Sequence, residues 1–238
     1  MAYIGGIVTG FYLFASAPGI HKKKKWQHLT GWDYAHRGLY DNEHGIPENS
    51  MAAFRRAVDK GYGIELDVHL TADNQLVVFH DDTLTRMCGM NKKISSFLYS
   101  DLMQLRLLGT EEGIPLFKDV LELIDGKVPL IIELKVDGSN QNLLCPLVWQ
   151  LLSRYKGDYC IESFHPFVLQ WFKRHEPQVV RGQLSCNFFK ENPHCDIVLF
   201  LMSNLMTNFF THPDFIAYKY LDLPGKAGQI GRASCRER

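Results

Sequence analysis

The chain has 238 residues, of which 46% are hydrophobic and 22% are charged. This composition excludes a disordered protein and is sufficient for one α/β domain with an ordinary core. The 26 Lys and Arg residues balance the 26 Asp and Glu residues, so the charge gives no reason to expect a nucleic-acid-binding surface. The six cysteines form no CxxC pair, which argues against a thiolate zinc site and favours reduced thiols.

An uncharged apolar segment begins the chain. Residues 1–20 carry no charged side chain, and the basic cluster HKKKKW follows them. A helix of this length would span about 30 Å, the thickness of the hydrocarbon core of a bilayer. We therefore expect residues 1–25 to form an N-terminal hydrophobic helix that anchors the protein to a membrane, with the rest of the chain on the cytoplasmic side or, alternatively, the extracytoplasmic side. A signal peptide cleaved after Ala17 and a frayed arm are the competing interpretations.

Short apolar runs alternate with amphipathic segments from residue 33 onward. Strands are predicted near residues 34, 64, 77, 131, 160, 181 and 216, and helices over 50–60, 116–124, 143–155, 166–175 and 197–210, with a mainly helical insertion over 94–108. This alternation predicts an α/β domain over residues 33–222, in which crossover helices wrap a parallel sheet. Seven strand candidates approach the eight of a (β/α)₈ TIM barrel. Because no Gly-rich phosphate loop follows the first strand, a dinucleotide-binding sheet is the weaker interpretation.

The alternating pattern stops after Asp222. The remaining residues include IGRASCRER, which looks like one reading frame of a common sequencing-library adapter. We interpret residues 223–238 as a non-native tail, with a genuine basic tail as the alternative. The barrel is therefore expected to be incomplete at its C-terminus, without its eighth strand and last helices.

Ionisable residues lie at the ends of four consecutive predicted strands. In chain order they are His36 and Arg37, then Glu65 and Asp67, then His80 and Asp81, then Glu133 and Lys135. The carboxyl ends of barrel strands meet around one mouth, where the active sites of this fold lie. An isolated carboxylate pair or histidine is more often structural, but four neighbouring strands contribute here at the same end. We therefore expect these side chains to share one site.

Three carboxylates without cysteine or clustered histidine ligands are typical of a hard cation, Mg²⁺ or Ca²⁺. Glu65, Asp67 and Glu133 form this predicted metal site. His36 and His80 lie on the strands to either side of the Glu65–Asp67 strand, where two imidazoles can act as general base and general acid.

Two basic side chains complete the predicted site. Arg37 and Lys135 supply fixed positive charge, and the arginine fork matches phosphate oxygens. A cation, two basic side chains and two histidines together predict a site for a phosphodiester.

The motifs AHRG, PEN, ELDV, VVFHD and IELK occur in this order between Tyr34 and Tyr218. They resemble those of the glycerophosphodiester phosphodiesterase family, and the apolar N-terminal segment also resembles the anchor of a membrane-attached bacterial branch of that family. The resemblance implies a (β/α)₈ barrel that hydrolyses glycerophosphodiesters to sn-glycerol 3-phosphate and an alcohol, with an insertion over the mouth between His80 and Pro115. It assigns catalysis to His36 and His80, metal binding to Glu65, Asp67 and Glu133, substrate binding to Arg37 and Lys135, and bracing to Glu48.

Several functions are compatible with this resemblance. The leading prediction is a metal-dependent phosphodiesterase of glycerophospholipid metabolism, with the substrate and the membrane as partners and neither nucleic acid nor a protein partner. A lysophospholipase D would use the same site on a substrate that keeps one acyl chain, and apolar residues near the mouth, such as Phe164, Phe167 and Trp171, would favour it. A phosphatidylinositol phospholipase C-like enzyme shares the barrel and paired histidines but not the carboxylate trio. A non-catalytic, membrane-anchored barrel belongs to a different class of protein.

Overall fold

The computed structural model describes residues 12–17, 26–190 and 197–222. These residues belong to two compact units. The first unit is Trp26–Ile161, and the second unit comprises the described residues before Trp26 and after Ile161. The boundary lies within the strand Tyr159–Ser163.

The first unit contains most of the strands. They are β1 (Tyr34–His36), β2 (Gly63–Leu70), β3 (Leu76–Val78), β4 (Leu130–Leu134) and the beginning of β5 (Tyr159–Ser163). Its α-helices are α1 (Met51–Lys60), α2 (Thr85–Cys88), α3 (Tyr99–Leu102), α4 (Phe117–Ile124) and α5 (Gln141–Leu152). Its 3₁₀ turns are Gln27–Leu29, Asn42–His44, Ile94–Ser96 and Leu107–Gly109.

The second unit holds the remaining elements. After the end of β5 these are α6 (Pro166–His175), β6 (Val180–Ser185), α7 (Ile197–Ser203), α8 (Asn208–Thr211) and β7 (Phe215–Tyr218), with 3₁₀ turns at Phe188–Lys190 and Tyr220–Asp222. Strands β6 and β7 pair in parallel. Parallel strands separated by helices confirm the predicted α/β class.

Strand β2 organises the sheet of the first unit. Its first three residues pair in parallel with β1, and Ile64–Val68 pair in parallel with β4 on the other side. Its last three residues pair with β3 in antiparallel orientation. The prediction that β3 is a parallel strand of a barrel is therefore wrong. The five residues 71–75 are too few for a parallel crossover, which needs about a dozen.

The predicted N-terminal hydrophobic helix falls largely outside the described residues. Of residues 1–25, the structure describes 12–17, and 12–16 are helical. The Ser16 carbonyl accepts a hydrogen bond from Asn208 Nδ2 in the same unit. Within the described ranges, no helix is both long and apolar enough to cross a bilayer. The predicted tail, residues 223–238, also lies outside the described residues.

Helix α1 forms where the sequence predicts it. The Ser50 hydroxyl accepts a hydrogen bond from Ala53 N at the start, and Gly61 ends the helix in the left-handed conformation. Ala53, Phe54 and Ala57 are buried, and α1 packs against β2 and α4. The Ala53 carbonyl also accepts a hydrogen bond from Leu39 N, so the helix supports the turn after β1, which carries Arg37.

Gly38, in that turn, has no room for a side chain. Its φ is +81°, and an added Cβ would lie 2.9 Å from Ala53 Cβ and 3.0 Å from Phe54 Cδ1. We expect Gly38→Ala to lower the free energy of unfolding by about 2–4 kcal/mol, from backbone strain plus overpacking. Gly45 is the matched control: its φ is +78°, and among the described residues no atom beyond its chain neighbours lies within 4 Å of the added Cβ. Gly45→Ala should cost about 1–2 kcal/mol, and equal losses in urea unfolding would contradict the packing argument.

The segment between β3 and α4 packs around its own apolar cluster. The insertion was predicted to be mainly helical over residues 94–108, but that range contains only the single-turn helix α3 and short 3₁₀ turns, and the single-turn helix α2 precedes it. The buried side chains of the cluster are Val77, Phe79, Leu84, Met87, Ile94, Leu102, Leu107 and Ile114. Lys93 Nζ and Ser95 Oγ bind the Asp137 carboxylate at 2.7 and 2.5 Å and so tie the insertion to the segment after β4.

Candidate active site

The pairing of β1, β2 and β4 brings three carboxylates together. Asp67 lies directly opposite Glu133, and Glu65 opposite His36. Glu65, Asp67 and Glu133 are 8%, 0% and 6% exposed, and one oxygen from each lies within 4.8 Å of the others. Three negative charges so close and so well buried repel one another unless a cation or proton intervenes.

The donor set fits a divalent cation. Asp67 Oδ1 is buried and, among the described residues, has no aligned hydrogen-bond donor, although Lys135 Nζ lies 3.0 Å away. Burial raises the pKa of Glu133 well above its ordinary value, and the charge of Asp67 adds to this effect against the opposing influence of Lys135. Oxygen ligands of this kind are those that Mg²⁺ and Ca²⁺ prefer, and the geometry does not select between the two ions.

Lys135 lies between two of these carboxylates. Its Nζ is 3.0 Å from Asp67 Oδ1 and 2.8 Å from Glu133 Oε1. Burial alone would lower the pKa of Lys135, but the two carboxylates outweigh it and raise that pKa, so the ammonium is charged. The charged Lys135, with His80 and a hydrogen bond from Asn49, outweighs the effect of burial and lowers the pKa of Asp67. The predicted contact of Lys135 with phosphate stays a prediction.

Arg37 is held by three acidic side chains. Its backbone N–H donates to Glu65 Oε2 at 2.9 Å, and its Nη1 donates to Glu48 Oε1 at 2.9 Å. Its Nε lies 3.7 Å from Asp67 Oδ2. Arg37 has a φ of 58°, in the left-handed region, which turns its N–H toward Glu65. Buried Glu48 thus makes the bracing contact that the PEN motif led us to expect.

The hairpin of β2 and β3 brings His80 to the cluster. Phe79 N donates to the Asp67 carbonyl at 3.0 Å, so the chain returns antiparallel to the level of the carboxylates. His80 Nδ1 lies 2.7 Å from Asp81 Oδ1. Burial lowers the pKa of His80, and this effect outweighs the negative charge on Asp67, which would raise that pKa.

The Asp81 carboxylate determines the tautomer of His80. Burial, the largest influence, would raise the pKa of Asp81, but hydrogen bonds from Arg86 and His80 outweigh it and lower that pKa. An ionised carboxylate can only accept hydrogen bonds, so Nδ1 of His80 carries the hydrogen and Nε2 is left to exchange a proton.

His36, the other predicted catalytic histidine, is the last residue of β1. Its Nε2 lies 3.8 Å from Glu65 Oε2, and its side chain is about half exposed. The imidazole is therefore open to a substrate while its ring nitrogen lies near the carboxylate cluster.

Two contributors to the site were not predicted from the sequence. Asn49 Nδ2 donates to Asp67 Oδ2 at 2.9 Å, and Arg86 hydrogen-bonds to both Asp81 and Glu48. Asn49 belongs to the PEN motif, so the sequence did offer a signal that this residue contributes to the site. Arg86 lies in the single-turn helix α2, which is too short to show a periodic pattern, so nothing in the sequence indicated its partners.

The apolar residues predicted near the mouth lie in the second unit. Phe167 is exposed, and its ring lies 5.6 Å from that of His165 and 6.2 Å from that of Phe210, measured between centroids. Trp171 stacks on His175 at 4.5 Å. A role for these rings in binding an acyl chain stays a prediction.

Comparison with known proteins identifies related sequences. The family model described as the glycerophosphoryl diester phosphodiesterase family matches residues 36–188. The rat protein named lysophospholipase D GDPD1 is 34% identical over 173 residues, which are 67% of this chain and 52% of that protein. A glycerophosphodiester phosphodiesterase of Caldanaerobacter subterraneus subsp. tengcongensis is 34% identical over 166 residues, 63% of this chain and 65% of that protein. The chain thus spans about half the length of the GDPD1 protein.

A solved structure shares the fold. It is a phosphodiesterase from Oleispira antarctica in complex with the product sn-glycerol-3-phosphate. The TM-score is 0.62 at 21% sequence identity, and the match covers 82% of this chain and 94% of that chain.

Proposed function

Because the chain belongs to the glycerophosphoryl diester phosphodiesterase family, we propose that it hydrolyses glycerophosphodiesters to sn-glycerol 3-phosphate and an alcohol. The observation that carries this proposal is the buried cluster of Glu65, Asp67 and Glu133, with the His80–Asp81 pair beside it. The name of the Caldanaerobacter relative and the product bound in the Oleispira enzyme support the same reaction.

Glu65, Asp67 and Glu133 would hold one divalent cation, Mg²⁺ or Ca²⁺. When bound, such a cation stabilises the negative charge that develops on phosphoryl oxygens. Lys135 offsets part of the carboxylate charge, and Arg37 presents a guanidinium beside Asp67. In this proposal both side chains would bind and orient the phosphodiester.

The two histidines would move the protons. One accepts a proton from the nucleophile, which is water or the neighbouring glycerol hydroxyl, as its oxygen bonds to phosphorus. The other donates a proton to the alcohol oxygen as its bond to phosphorus breaks. If the glycerol hydroxyl attacks first, water opens the resulting cyclic phosphodiester in a second step with the histidine roles reversed. Asp81 prepares His80 for either role because it leaves Nε2 available.

Hydrolysis of lysophospholipids is a second candidate function. The relative named lysophospholipase D is 34% identical to this chain over two-thirds of its length. Such a substrate presents the same phosphodiester bond, and the same residues would act on it. The two activities differ in whether the glycerol carries an acyl chain.

We expect the protein to release glycerol 3-phosphate from glycerophosphocholine and EDTA to abolish that release, because removing the cation leaves the three carboxylates uncompensated. An enzyme-coupled glycerol 3-phosphate assay measures both, and excess Mg²⁺ or Ca²⁺ should restore activity. Choline release from lysophosphatidylcholine alone would favour the second candidate. No release from either substrate by folded, cation-loaded protein would contradict both proposals.

A further inference from the structure

Arg86 joins two parts of the site, although the proposed reaction does not use it. Its Nε and Nη2 donate to the Asp81 carboxylate at 2.8 and 3.0 Å. Its Nη1 and Nη2 donate to the Glu48 carboxylate at 2.8 and 2.7 Å. Each carboxylate in turn holds one site residue: Asp81 binds His80, and Glu48 binds Arg37.

We propose that Arg86 is a positioning residue that fixes the Asp81 carboxylate and, through it, the orientation and tautomer of the His80 imidazole. The effect that this inference predicts on kcat rests on the proposed function. Asp81 Oδ1 is shared between His80 Nδ1 and Arg86 Nη2, while Arg86 Nε binds Oδ2. The planar fork of the guanidinium sets the plane of the carboxylate, which a single hydrogen bond from the imidazole cannot do.

The guanidinium is not needed to hold the backbone of α2. Leu84 and Met87, on either side of Arg86, are buried in the apolar cluster of the insertion. Cys88 N and Gly89 N donate to the carbonyls of Leu84 and Thr85. The Arg86 side chain touches this packing only through a weak contact of Nη1 with Met87 Sδ at 3.2 Å, and it does not take part in the backbone bonds. Its removal should therefore leave the turn in place and release chiefly the carboxylates.

The two carboxylates depend on Arg86 to different degrees. Without it, Glu48 keeps the hydrogen bond from Arg37 at 2.9 Å and one from Asn42 Nδ2 at 3.4 Å. Among the described residues, the Asp81 side chain binds only Arg86 and His80. Loss of Arg86 should therefore affect proton transfer by His80 more than substrate binding through Arg37.

Kinetics provide the first test. With glycerophosphocholine and Mg²⁺, Arg86→Ala should lower kcat by about 10- to 100-fold while KM changes less than about threefold. Millimolar guanidinium should restore part of the lost kcat, and Arg86→Lys, which lacks the planar fork of the guanidinium, should keep only part of the wild-type kcat.

If Arg86 acts through Asp81, the double variant with Asp81→Asn should be no slower than Asp81→Asn alone. Arg55, exposed on α1, is the matched control, and Arg55→Ala should show neither the loss nor the rescue.

An imidazole ¹⁵N NMR spectrum provides a test that does not require turnover. At a pH where histidines are neutral, His80, assigned with His80→Gln, should show the Nδ1–H tautomer in the wild-type chain and a tautomer mixture in Arg86→Ala. An unchanged His80 spectrum would overturn the inference, whether or not the protein hydrolyses glycerophosphocholine. An active wild-type enzyme whose Arg86→Ala variant keeps its kcat within twofold would also overturn it. An inactive wild-type enzyme would instead refute the proposed function and leave the NMR result decisive for Arg86.

Discussion

His80→Ala should lower kcat for glycerophosphocholine hydrolysis by about 10²- to 10⁴-fold, the usual contribution of a positioned general acid or base. The structure supports this expectation in two ways. The Asp81 carboxylate holds Nδ1 at 2.7 Å and leaves Nε2 free to exchange a proton, and the β2–β3 hairpin returns the chain to the level of Asp67. Steady-state kinetics on cation-loaded protein would measure the loss, and circular dichroism would verify the fold.

A matched histidine elsewhere in the chain provides the control. His44 Nδ1 lies 2.8 Å from Asp41 Oδ1, a pairing close to that of His80 with Asp81, but its side chain is exposed outside the carboxylate cluster. His44→Ala should leave kcat within about twofold, because it removes a similar histidine–carboxylate contact, and exposed contacts of this kind contribute little free energy. His80→Gln is a second, larger replacement should alanine disturb the insertion. Near-wild-type activity in both His80 variants would remove this residue from the mechanism.

Asp67→Asn should abolish cation binding together with activity. The substitution keeps the size of the side chain and an oxygen that can accept the hydrogen bond from Asn49, but it removes one of three ligand charges. It also leaves Lys135 with only one of its two carboxylate partners charged. A cation at about 100 times its dissociation constant should stabilise the wild-type fold by about 2.7 kcal/mol, and thermal unfolding would detect this as a rise in Tm. The variant should show no such rise.

The control for Asp67→Asn is an equal change of charge on the surface. Asp59, exposed near the end of α1, lies outside the cluster, so Asp59→Asn should keep the rise in Tm with the cation. A rise of wild-type size in Asp67→Asn would exclude Asp67 as a ligand. Loss of the rise in both variants would point to a general effect of net charge instead.

Helices whose ends are set by residues close by in the chain were predicted well from the sequence. Helix α6 begins at Pro166, as predicted, because proline suits the first turn of a helix, and it ends at His175. Helix α1 is bounded by Ser50 and Gly61, which act through hydrogen bonding and backbone conformation within a few residues. The insertion was predicted less well, because its short turns are stabilised by a shared apolar cluster rather than by helical periodicity.

The site was predicted in part. The three carboxylates lie together because each stands in a strand whose pairing follows from the βαβ pattern. The predicted position of His80 beside the Glu65–Asp67 strand assumed a parallel β3, whereas in the structure an antiparallel hairpin determines that position. Arg86 and Glu48 are 38 positions apart in the chain, and such a contact depends on tertiary structure that no local pattern encodes.

His80, a proposed catalytic group, follows the antiparallel strand β3. Its position therefore depends on the length of the turn that joins β2 to β3. Successive residues of a strand point to opposite faces, so a shift of one residue in the β2–β3 register would carry His80 to the other side of the sheet. The segment from Thr71 to Gln75 therefore tolerates exchange of its side chains more readily than insertion or deletion, and natural variation there should preserve its length even where its sequence diverges.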